Sequence, residues 1–76
     1  MDIPLEVVGA IVNSGKAFHC VMVSSDEPDT GGFIILEWWP GSNGPNEHCG
    51  FDAWVSDELA LQRYFRESDW QVEWLS

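Results

Sequence analysis

The run Phe33-Ile34-Ile35-Leu36-Glu37-Trp38-Trp39, closed by Pro40, constrains the fold more than any other stretch of this 76-residue chain. β-Branched and aromatic residues followed by a residue that cannot donate to a sheet ladder predict a strand over 33–39. Its side chains are apolar on both faces, so it reads as a central strand that needs neighbours at its edges and cover above and below.

Those neighbours are legible nearby. Residues 5–12 form a β-branched run behind Pro4, and Asn13-Ser14-Gly15-Lys16 supplies a turn into a hairpin partner over 17–24. Alternation in that partner puts His19, Val21 and Val23 on one face and Phe18, Cys20 and Met22 on the other. Residues 25–32 are polar turn formers and predict a loop, and residues 40–50 predict a longer one. Phe51-Asp52-Ala53-Trp54-Val55 reads as a short edge strand.

Beyond it, Ser56 is the expected helix cap, with Asp57 and Glu58 in the first turn where the amide groups are exposed. The helix runs to about Glu67, with Leu61, Tyr64 and Phe65 on one face. Trp70, Val72 and Trp74 then alternate with Gln71 and Glu73, predicting a final strand whose aromatic face meets the helix. The expected fold is α+β: an antiparallel sheet of four or five strands with one helix near the C-terminus on one face, in the order β-β-β-(β)-α-β. Residues 1–76 are expected to form one compact acidic domain.

Size adds a constraint. A chain this short buries only about 60% of the surface its unfolded form exposes. Large aromatic side chains, each burying roughly 150–250 Å², offset that shortfall. Most of the five tryptophans are therefore expected in packing roles. One helix covers one sheet face, so the other is left for the long loop, a second copy or a partner.

Charge narrows the function classes. Thirteen acidic residues against Lys16, Arg63 and Arg66 give a net charge of -10, which opposes direct contact with nucleic-acid phosphates or anionic lipid. No stretch has the length of a membrane span and no signal-peptide pattern is present, so cytoplasmic residence with reduced thiols is expected.

The residue types that carry chemistry do not assemble in a known spacing. His19–Cys20 and His48–Cys49 total four zinc-type ligands, but adjacent positions on a strand point to opposite faces. Cys49, with His48 beside it and Asp52 three residues on, lacks an oriented base. The carboxylate pairs Asp26/Glu27, Asp57/Glu58 and Glu67/Asp69 sit where solvated acids are expected, in a turn and at helix ends. No catalytic residue, metal or cofactor is assigned, and a Cys20–Cys49 disulfide stays open.

The expected function is a small acidic interaction or inhibitory module that binds a basic protein, such as an immunity-type or nucleic-acid-mimicking inhibitor. Trp38, Trp39 and Trp54 are its candidate anchors, with Glu37, Glu47, Asp52 and Glu73 as an acidic rim. Two alternatives stand beside it: a homo-oligomeric accessory domain that buries the second sheet face, and a ligand-binding domain or enzyme that uses the 40–50 loop.

Overall fold

A computed structural model describes residues 3–26, 31–42 and 50–75. The elements follow as β1 (Gly9–Ile11), β2 (Cys20–Asp26), β3 (Gly32–Trp38), β4 (Phe51–Val55), α1 (Glu58–Ser68) and β5 (Val72–Trp74). The five strands form one sheet in the order β4-β3-β2-β1-β5, with every neighbouring pair antiparallel. The α+β architecture expected from the sequence is thus the one observed.

Strand limits differ from the expectation in instructive ways. The run predicted over 5–12 is a strand only at Gly9–Ile11, because Glu6 takes a positive φ of 61° that breaks the extended path. Phe18, also at positive φ, remains in the turn, so β2 starts at Cys20 and extends to Asp26, into the predicted loop. β3 is paired on both edges as anticipated, although β2 holds the centre of the sheet. The cause is β5, which returns to pair with β1 in the register Gly9↔Trp74 and Ile11↔Val72.

The helix begins one residue later than predicted. Asp57, not Ser56, is its cap, and its carboxylate accepts the Ala60 amide at 2.8 Å. It ends where Asp69 turns left-handed and donates its N–H to the Arg66 carbonyl at 3.2 Å. Asn13 then holds the start of β5 in place, donating to the Asp69 carbonyl at 2.7 Å and accepting the Gln71 amide at 2.9 Å.

Leu61 and Phe65, four residues apart, project onto Ile11, Val21, Val23 and Ile35 to form the buried core. An aromatic cluster extends it. Trp70 packs edge-on against Phe65 at 5.6 Å and against Tyr64 at 6.0 Å, while Trp74 reaches Phe65 at 6.1 Å. Gln71 and Glu73 are exposed, so the predicted facing of the last strand holds. Gly9 makes room for this cluster: a Cβ there would run into Val72 Cγ1 and come within 2.8 Å of the Trp74 ring. No helix among the described residues is long and apolar enough to cross a membrane.

Candidate functional site

Register defines what the sheet presents on the side away from α1. Glu73, Ala10, Cys20 and Trp38 are successive cross-strand neighbours from β5 to β3. Met22, Leu36 and Asp52 form a second row, and Ser24, Ile34 and Trp54 a third. Cross-strand partners share a face, so these rows form one surface opposite Val21, Val23 and Ile35. Met22, Ile34, Leu36 and Trp38 are half-buried and Trp54 is 53% exposed. Gly32 makes room for the Trp54 indole, since a Cβ there would meet the Val55 carbonyl and come within 2.7 Å of indole Nε1.

Acidic groups border this apolar patch. Asp52 stands on the edge strand β4, Glu73 on the opposite edge strand β5, and Asp26 at the end of β2. Glu6 accepts a hydrogen bond from the Ser24 hydroxyl at 3.2 Å. The three basic residues of the chain lie elsewhere. Arg63 and Arg66 are on α1, and the Lys16 ammonium sits over the Trp39 ring at 5.1 Å. The patch is therefore apolar at its centre and anionic at its rim, with no cation of its own chain among its rows.

Of the residues singled out from sequence, Trp38, Asp52, Trp54 and Glu73 share this surface. Glu37 and Trp39 belong to the helix side, and Glu47 lies outside the described residues. Met22, Ile34 and Leu36 complete the floor. Their alternation with Val21, Val23 and Ile35 was the available signal, and it marks them as one set once the core face is known.

The helix side holds a second constellation. His19 is buried, with Nε2 2.6 Å from Glu37 Oε2, while its Nδ1 has no hydrogen-bond partner. Trp39 and Trp70 meet the imidazole edge-on at 5.2 and 6.0 Å, and Phe51 lies 5.7 Å beyond Trp39. Partial burial, followed by the nearby Glu37 carboxylate, raises the Tyr64 phenol above its ordinary ionisation range. Cys20 faces the other side of the sheet, and burial pushes its thiol up, away from a reactive thiolate. His48 and Cys49 are outside the described residues.

His19 and Glu37 supply two metal-type donors, and among the described residues no group of three or more such side chains converges. Chemically, the pair can tie β3 to the residue preceding β2. Two shallow clefts flank the helix: one of about 150 Å³ between Ile3, Leu5, Phe33 and Leu61, and one of about 340 Å³ beside Phe65, Arg66 and Trp70. Neither involves the tryptophans of the open face. Comparison with protein-family models, curated proteins and solved structures gives no match for this chain.

Proposed function

We propose that this domain is a small acidic protein-interaction module that binds a basic protein through the sheet face opposite α1. The observation that carries the reading is the segregation of charge on that face. Asp26, Asp52, Glu73 and Glu6 surround Met22, Ile34, Leu36, Trp38 and Trp54, while Lys16, Arg63 and Arg66 lie off it. An anionic rim speeds encounter with a cationic partner, and the apolar centre slows dissociation. The domain then acts by occupying its partner, and blocking a basic nucleic-acid-binding or nuclease surface is one form this takes. Residence in the cytoplasm belongs to the proposal and agrees with the free thiol at Cys20.

Burial of the same face against a second copy is the competing reading, favoured by its apolar centre. The rim weighs against it, because a second copy brings more acids and no cation to the contact.

The test is capture on immobilised domain at low salt and at about 0.5 M salt, with Leu36→Asp as the control surface. A partner retained at low salt, released at high salt, absent from the Leu36→Asp eluate and cross-linked to β2 or β3 supports the reading. Equal capture by both proteins, or cross-links confined to α1, refutes it.

A further inference from the structure

The width and charge of the open face narrow the kind of partner, given the binding role proposed above. Met22, Ile34, Leu36 and Trp38 lie half-buried across β2 and β3, with the smaller Ala10 and Cys20 between Trp38 and Glu73. Trp54, on β4, lies across Gly32 of β3 and is 53% exposed. Across the sheet, the two edge acids Asp52 and Glu73 sit on the outermost of five strands. Four interstrand steps of about 4.8 Å separate those strands by roughly 19 Å.

An α-helix with its side chains is about 10–12 Å across. Seated along the strands, it leaves about 8 Å in total to the two edge acids, a gap that lysine or arginine stems bridge while their methylenes cover apolar surface. Along the strands the fit is equally close. β2 and β3 have seven residues each, or about 23 Å at 3.3 Å per residue, which about 15 helical residues match at 1.5 Å per residue.

We infer that the open face receives a basic amphipathic helix, with an apolar stripe on Met22, Ile34, Leu36 and Trp38 and flanking cations directed to Asp52 and Glu73. The arrangement supplies a second helical layer on a face where the described residues place no helix. A second copy of this chain matches the apolar centre but sets Asp52 and Glu73 against further carboxylates. A nucleic acid fails on charge at once.

Synthetic peptides of about 16 residues test the inference directly. One carries leucines at helical spacing with flanking lysines and arginines. A second has the same composition in strict alternation, and a third has the helical pattern with glutamates in place of the cations. Each is titrated into the ¹⁵N-labelled domain, with circular dichroism following helix formation and sedimentation reporting self-association.

The helical basic peptide should bind at least about tenfold more tightly than the alternating one, gain helicity, and shift the amides of Met22, Ile34 and Leu36 with the Trp38 indole. The acidic peptide should not bind. The double variant Asp52→Lys with Glu73→Lys, checked for an unchanged dichroism spectrum, should lose at least about tenfold in affinity for the basic helix at low salt.

Equal affinity for the two basic patterns, or shifts confined to α1, overturns the helical occupant. If the alternating peptide wins on the same residues, the interaction role stands and the helix does not. Failure of both basic peptides and of the capture experiment defeats both proposals. So does a dimer that Leu36→Asp dissolves.

Discussion

His19 and Glu37 are joined at 2.6 Å between Nε2 and Oε2, although 18 residues separate them in sequence. The bond lies beneath Trp39 and Trp70, where water gives little compensation if it is lost. Glu37→Ala leaves both ring nitrogens of His19 unpaired and should cost about 1–3 kcal/mol. Glu37→Gln keeps an acceptor at the same place and should cost less. Urea midpoints with unchanged slopes decide the matter, and equal losses for the two variants would show that the hydrogen bond contributes nothing.

Gly9 and Trp74 are cross-strand neighbours whose side-chain volumes are complementary. Gly9→Ala should destabilise by about 1–3 kcal/mol through overpacking. Trp74→Ala should cost about 2–3 kcal/mol, below the value for a fully buried tryptophan because Trp74 is only half-buried. The double variant should be at least about 0.5 kcal/mol better than the sum of the two losses, measured by a denaturation cycle. Strict additivity would mean that the alanine methyl group is accommodated without pressing on the indole.

Asp69 closes α1 in the left-handed conformation, at φ 57°, and places a carboxylate at the negative end of the helix. Glycine takes that backbone shape without strain and removes the like charge. Asp69→Gly should therefore raise stability by about 0.5–1 kcal/mol, and thermal denaturation will read the gain. The backbone carbonyl that Asn13 holds is kept, so no compensating loss is expected.

The Tyr64 phenol ionises above its ordinary value of 10 because burial, and then Glu37, disfavour phenolate in the folded chain. The folded state therefore holds this proton more tightly than the unfolded state. Its contribution is complete below pH 10 and is lost as the pH rises through the folded value. Denaturation midpoints taken from neutral to strongly alkaline pH should fall more steeply for the parent than for Tyr64→Phe. Parallel curves would assign the alkaline limb to other groups.

Which side chains travel together was written in the chain itself. Alternation grouped Val21 with Val23 and His19, and Trp70 with Val72 and Trp74, because side-chain direction in a strand follows from local geometry. The helix was legible from the Leu61–Phe65 spacing, and its start was displaced by one residue only because Ser56 and Asp57 are both good caps. Neighbour identity was another matter. Local pattern tells a strand which face is apolar and says nothing about who pairs along its edge, so β5 beside β1, and β2 at the centre, emerged only from the assembled sheet. The same limit governed the site. Trp38 and Trp39 had to diverge, yet only the register Cys20↔Trp38 assigned Trp38 to the open face and left Glu37 for His19. Of the expected acidic rim, Asp52 and Glu73 therefore fall on one side of the sheet and Glu37 on the other, because register is fixed by long-range packing of the buried face.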